Sequence, residues 1–200
     1  MFDTVLIAGL GLMGGSMAKT IKARTLSRVL GWNRTRATAE QALADGSIDA
    51  IATEALYKEA DLVIIGLYPQ ATVDWLLENM PKMKKGCVIV DMVGVKQFMV
   101  DHLEQAALDA GVHYVGGHPM AGREFSGLDF ALPTLFDGAS MIFVPTESST
   151  ERVLEQLEAY FMSLGFGQTV RCTAQQHDHM IAFTSQLAHV VSSAYIKSPE

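Results

Sequence analysis

The chain has 200 residues, 49% of them apolar and 18% charged, a composition that builds a sizeable core and excludes a disordered polymer. Its formal net charge is -7. That acidic balance argues against nucleic acid and anionic membrane as partners, so an anionic ligand must be held by local positive groups.

Strand-like and helix-like segments alternate along the chain. Residues 5–8 are an apolar run ending in glycines, and they read as a first strand. A helix is expected over 15–24, a second strand over 29–32, a helix over 36–45 and a short third strand over 48–52. Residues 61–67 are continuously apolar after Asp61, as a strand covered on both faces should be. A helix over 72–79 ends at Pro81, and 87–90 is a further buried strand closed by Asp91. Residues 96–110 are amphipathic, with Gly111 as their stop. Two more strands are expected over 113–115 and 141–144, and a helix over 151–164 stopped by Gly165. The alternation predicts an α/β fold: a doubly wound, mostly parallel Rossmann sheet with right-handed crossovers, spanning residues 1–172.

From 173 to 197 no strong breaker interrupts the chain. Met180, Thr184, Leu187, Val191 and Ala194 share one helical face. Asp178, Ala182, Ser185, His189 and Ser192 share another, mostly polar one. One long helix is expected here, opening an all-helical second domain over residues 173–200. Such a helix must cover its apolar face with the first domain, another subunit or further sequence.

Gly9-Leu10-Gly11-Leu12-Met13-Gly14 matches the G-x-G-x-x-G fingerprint and lies between the first strand and the first helix. Gly9 permits the tight turn, Gly11 admits a pyrophosphate to the backbone, and Gly14 lets helix and strand pack closely. The helix N-terminus behind Leu12 and Met13 offers free N–H groups to phosphate. The second strand ends in Asn33, where a site for NAD usually carries a carboxylate for the ribose hydroxyls. Arg34, Thr35 and Arg36 follow. A neutral tip with arginines beside it leans towards NADP and leaves NAD open, since the arginines could instead pair with acids such as Glu40.

The run Gly116-Gly117-His118-Pro119-Met120-Ala121-Gly122-Arg123-Glu124-Phe125-Ser126-Gly127 follows a predicted strand. It places His118 at the carboxyl end of that strand, where ligands bind in open α/β sheets. A neutral imidazole there can take the proton of an alcohol while hydride leaves the same carbon.

With these residues the chain resembles the prephenate dehydrogenase family, whose motif reads GGHPMAG, an acidic residue and Ser-Gly. Two further segments agree: His177-Asp178, and Phe183-Thr184-Ser185-Gln186-Leu187-Ala188-His189. The resemblance covers residues 5 to about 199. It implies oxidative decarboxylation of prephenate, or of the related arogenate, with NADP or NAD and with His118 as the catalytic base. Ser126, Ser185, Gln186 and His189 would then hold substrate. It also implies a cytoplasmic enzyme of tyrosine biosynthesis that forms a homodimer through the helical domain.

Three departures stand out. Gly94 occupies the place of a serine in Asp91-Met92-Val93-Gly94-Val95-Lys96, removing a hydroxyl that could orient His118. Gln186 replaces a histidine. The sequence stops before the region where the family carries an arginine for the substrate carboxylate, so it reads as truncated within its second domain. Lys96 is open to two readings, as a positive group near the site or as a solvated surface lysine.

Other classes fare worse. Cys87 and Cys172 lack Cys-x-x-Cys spacing, which favours reduced thiols in a cytoplasmic protein over zinc. His177 and His179 point to different sides of a helix, so no metal site is expected. The N-terminus lacks a basic leader, and no apolar run reaches membrane-spanning length. The β-hydroxyacid dehydrogenases share this Rossmann type, but they carry a catalytic lysine on the interdomain helix, where this chain has none before Lys197. A dinucleotide-binding fragment without turnover is the reading outside enzymology.

Overall fold

The computed structural model describes residues 2–186, with side chains through Thr184. Among the described residues eight strands form one sheet: β1 (Thr4–Ala8), β2 (Arg28–Trp32), β3 (Ala50–Ile51), β4 (Leu62–Ile65), β5 (Val88–Asp91), β6 (His113–Pro119), β7 (Ser140–Pro145) and β8 (Gln168–Arg171). Their spatial order is β3-β2-β1-β4-β5-β6-β7-β8. All neighbours are parallel except β6 and β7. This is the Rossmann arrangement expected from the alternating pattern, extended by an edge containing the one antiparallel pair.

Among the described residues there are seven α-helices: α1 (Leu12–Arg24), α2 (Arg36–Ala44), α3 (Glu54–Tyr57), α4 (Pro69–Asn79), α5 (Gln97–Ala110), α6 (Glu151–Ser163) and α7 (Ala174–Ile181). The period-two geometry of a strand explains how one apolar run feeds two cores. Val5, Ile7, Leu62, Ile64, Val88 and Val90 pack with Met17, Ile21, Leu157 and Phe161 of α1 and α6. Leu6, Ala8, Val63, Ile65, Cys87 and Ile89 turn the other way, onto Trp75, Leu76, Leu103 and Ala107 of α4 and α5. Every residue of β4 is buried. Truncating one of its isoleucines to alanine would cost about 2–5 kcal/mol through lost burial and a residual cavity.

Several boundaries follow local chemistry. Pro69 starts α4 at its first turn, where no N–H is needed, so that helix begins earlier than expected. Gly111 ends α5 in the left-handed region at φ 67°. Thr173 and Gln176 form a reciprocal capping box at the start of α7.

Three expectations need correction. The third strand shrinks to two residues, the short helix α3 appears where none was assigned, and β8 was missed. β8 reads Gln-Thr-Val-Arg and lies at the sheet edge, with two of its four residues exposed, so it lacks the apolar run that marks the inner strands. The long final helix begins as α7 and continues as a π-helical turn over Ala182–Gln186. The remainder of that expected helix lies outside the described residues. No helix among the described residues is long and apolar enough to cross a membrane.

Candidate active site

The glycine loop joins β1 to α1 at the point where the chain order of the sheet reverses, with β2 on one side and β4 on the other. Gly9 has φ +94°, and a Cβ there would lie 2.6 Å from the carbonyl oxygen of Gly66. A Cβ on Gly14 would lie 1.8 Å from the Gly9 carbonyl oxygen. These two glycines are therefore demanded by packing between loop, helix and β4. Gly11 differs: a Cβ there meets nothing within 4 Å. Its bare backbone faces a crevice of about 300 Å³ whose walls include Leu12, Met13, Gly66, Tyr68 and Ser126.

The first N–H to enter the α1 ladder belongs to Gly15, which donates to the Gly11 carbonyl at 2.8 Å. Those of Leu12, Met13 and Gly14 remain for a ligand. No acidic side chain lies in that first turn. An open cradle, spare N–H groups and the positive end of a helix suit the pyrophosphate of a dinucleotide.

Asn33 has a role that the sequence did not suggest. Its Oδ1 accepts the Leu10 N–H at 3.0 Å, and its Nδ2 donates to the Thr35 carbonyl at 3.1 Å. The amide thus ties the glycine loop to the tip of β2. Arg34 and Thr35 are exposed beside it. Arg36 forms an ion pair with Glu40 at 2.8 Å, so the local pairing weighed for these arginines holds for Arg36.

His118 lies near the end of β6, opposite Ile142 of β7. A Cβ on the preceding Gly117 would come within 2.3 Å of the Asp91 carbonyl oxygen, so only glycine lets β6 pass this close to the end of β5. The His118 Nδ1 is 2.8 Å from Nε2 of His177 on α7. The His177 Nδ1 is 2.7 Å from Oδ1 of Asp178. Asp178 also accepts the backbone N–H groups of Lys96 at 2.7 Å and Gln97 at 2.9 Å. Its carboxylate therefore fastens α7 to the N-terminus of α5, where negative charge is favoured.

Burial pushes the His118 imidazolium down to about 4, and His177 and Lys96 act in the same direction. Asp91 and Asp178 oppose them without prevailing. Burial likewise lowers His177 against the pull of Asp178. Burial alone would raise the Asp178 carboxyl; the N–H of Gln97, the His177 ring and the N–H of Lys96 outweigh it and hold the group below the usual carboxylate range. The site at neutral pH is thus two uncharged rings ending on a carboxylate.

Lys96 is fully buried, which overturns the reading of it as a solvated lysine. Its ammonium pairs with the Asp91 carboxylate and donates to the Gly117 carbonyl at 2.7 Å. Asp91, also fully buried, accepts from the Tyr114 hydroxyl at 2.7 Å and from the Val93 N–H at 2.8 Å. This network braces the turn after β5 against the strand that carries His118. Lys96 acts from beneath the site and supplies no exposed charge to it.

Of the other residues singled out from sequence, Ser126 lines the dinucleotide crevice. The backbone of Ser185 and Gln186 lies in the π-helical turn after α7. Their side chains, and His189 altogether, lie outside the described residues. The sequence brings out His177 and Asp178 through the resemblance, the metal reading and a polar helix face, but not the contact of His177 with His118. Spacing could not reveal it, because His177 is 59 residues from its partner. Gly94 proves to lie beside the ring: a Cβ there would be 3.7 Å from His118 Nε2 and Cε1. Among the described residues no three His, Cys, Asp or Glu side chains form a group that could hold a metal ion.

Comparison with known proteins identifies the family. The family model described as prephenate dehydrogenase, nucleotide-binding domain, matches residues 17–168. A prephenate dehydrogenase from Bacillus subtilis (strain 168) is 33% identical over 200 residues, covering 98% of this chain and 53% of its own. The chain therefore spans about half the length of that relative. Arogenate dehydrogenase from Synechocystis superposes with a TM-score of 0.87 at 28% identity, covering 97% of this chain and 68% of its own. Prephenate dehydrogenase from A. aeolicus, solved with hydroxyphenyl propionate and NAD+, gives a TM-score of 0.88 at 25% identity, covering 98% of this chain and 68% of its own. The chain belongs to the prephenate dehydrogenase family, and its residues 17–168 match that family's nucleotide-binding domain.

Proposed function

We propose that this chain carries the dinucleotide site and the catalytic base of an NAD(P)-dependent prephenate dehydrogenase, which converts prephenate to 4-hydroxyphenylpyruvate and carbon dioxide. The observation that carries this reading is the placement of His118, on the same carboxyl-end side of the parallel strands as the open Gly11 cradle, with one ring nitrogen engaged by His177. Leu12, Met13 and Gly14 would hold the pyrophosphate through backbone N–H groups, and Arg34 and Thr35 would face the adenosine ribose. The bound nicotinamide supplies the hydride acceptor. His118, neutral at physiological pH, removes the proton of the ring hydroxyl whose carbon gives up hydride. The electron pair of the bond to the ring carboxylate then passes into the ring as carbon dioxide leaves. The aromaticity gained makes the reaction effectively irreversible.

In this reading residues 173–200 open a helical domain that completes the substrate site with Ser185, Gln186 and His189 and pairs two subunits in a cytoplasmic homodimer. The test is an assay of the full-length protein with prephenate and with arogenate, each with NAD and NADP. Formation of reduced cofactor should match release of carbon dioxide one to one. Reduction with neither substrate would end the proposal, and preference for arogenate would move it to the amino-acid substrate.

The neutral β2 tip suggests NADP as the preferred cofactor. Arg34 forms no ion pair among the described residues, whereas Arg36 does, so Arg34 is the one placed to meet a 2′-phosphate. Arg34→Ala should raise the KM for NADP about tenfold, the scale of one lost charge-assisted hydrogen bond, and leave that for NAD nearly unchanged. A wild type that strongly favours NAD, or equal changes for both cofactors, would contradict this assignment.

A further inference from the structure

We infer that His177 and Asp178 form a positioning dyad that fixes the tautomer of His118 and presents its Nε2 as the base, an inference that rests on the function proposed above. Of the three side chains, the Asp178 carboxylate has a fixed hydrogen-bonding role, and it sets those of the other two. An ionised carboxylate can only accept. Asp178 Oδ1 lies 2.7 Å from His177 Nδ1, so that nitrogen carries the proton. A neutral His177 then has a bare Nε2. That atom lies 2.8 Å from His118 Nδ1 and accepts from it. His118 is left with its lone pair on Nε2, beside the space that Gly94 leaves open.

This is the minority tautomer of imidazole in water, so the fold has to impose it. The same chain stabilises the product of proton transfer. Once Nε2 has taken a proton, the positive ring still donates from Nδ1 to His177, whose own proton points to a carboxylate. The logic is that of a base held by an orienting group. Here the orienting pair stands on α7 rather than on the sheet that carries the base.

The placement also explains how a glycine can occupy position 94. A hydroxyl there would reach Nε2, the atom that must meet substrate. In this chain the ring is oriented from its opposite side. Asp178 serves two ends at once, since its other contacts are the N–H groups of Lys96 and Gln97 at the start of α5. Correct docking of α7 and correct protonation of the base are therefore one event.

The experiment uses the full-length protein with 15N-labelled histidine rings, together with His177→Leu, which fills the buried space without an acceptor, and His177→Gln, whose amide oxygen can still accept. Ring-nitrogen shifts should show His118 protonated on Nδ1 in the wild type. In His177→Leu the proton should move to Nε2. The kcat should fall about tenfold to hundredfold with KM changed less than about twofold, the split expected of a misdirected base rather than a lost binding contact. His177→Gln should recover most of that loss. Unchanged cofactor affinity in both variants would show that the fold is intact. A wild-type His118 protonated on Nε2, or a His177→Leu variant with wild-type tautomer and turnover, overturns the inference. If the tautomers behave as expected but His118→Asn turns over normally, the dyad stands and the base assignment above falls.

Discussion

Lys96→Met is expected to cost about 3–5 kcal/mol of folding stability, the scale for removing one partner of a buried ion pair. The reason is what remains. Asp91 has no exposed side-chain surface, and without the ammonium its charge keeps only the Tyr114 hydroxyl and the Val93 N–H. The Gly117 carbonyl loses a donor as well. Burial already lowers the pKa of Lys96 against the opposing attraction of Asp91, and it raises that of Tyr114 well above its ordinary value. Both directions mark a dry site. The surface pair Arg36–Glu40, with side chains 79% and 55% exposed, should contribute less than about 1 kcal/mol by comparison.

Urea unfolding of Lys96→Met, of Arg36→Ala and of the double variant Lys96→Met/Asp91→Asn would check this. The double variant removes the orphaned charge and should recover a large part of the loss. If Lys96→Met costs no more than Arg36→Ala, the pair is hydrated and the bracing role assigned to it is wrong. Because the network holds the Gly117 carbonyl one residue before His118, the surviving folded Lys96→Met should also turn over more slowly.

The contrast between Lys96 and the glycine loop shows where the sequence was informative. Gly9, Gly11 and Gly14 lie within one strand–turn–helix unit, so their pattern is legible from spacing, and the structure then separates two packing glycines from one open one. The inner strands were legible for a similar reason: a strand covered on both faces has to be apolar throughout. Lys96 was ambiguous because an isolated lysine carries no sign of its burial. Its partner Asp91 is five residues away, and the Tyr114 that completes the network is eighteen positions beyond Lys96. His177 was harder still, since only the crossing of α7 over the end of the sheet brings it to His118. β8 was missed because an edge strand need not be apolar. Contacts set by tertiary docking leave no periodic trace, and here they include those of His177 and Lys96 around the strand that carries His118.

The last expected result concerns His118→Asn, which should lower kcat by about a hundredfold or more while preserving dinucleotide affinity. The cofactor cradle belongs to β1, α1 and β4, and the asparagine would stand at the end of β6, so the two functions should separate. The pH profile gives the sharper test. An imidazole in water would place the acid limb of kcat/KM near 6.5. Burial, His177 and Lys96 instead hold His118 down to about 4 in the folded protein. Only the neutral ring can accept a proton, so activity should stay level as the pH falls through 6.5 and decline only towards 4. His118→Asn should lose that limb, because an amide does not titrate there. Stability moves in the same direction. Between about 4 and 6.5 the unfolded chain binds a proton on this imidazole and the folded one does not, so folding weakens as the pH drops through that window. His118→Asn should flatten this dependence in the same urea experiments. A base of this kind is unprotonated at every physiological pH without help from a neighbouring carboxylate, which leaves Asp178, acting through His177, free to set direction. Near-normal turnover in a folded His118→Asn protein, or an acid limb that survives the substitution, would remove His118 from the chemistry.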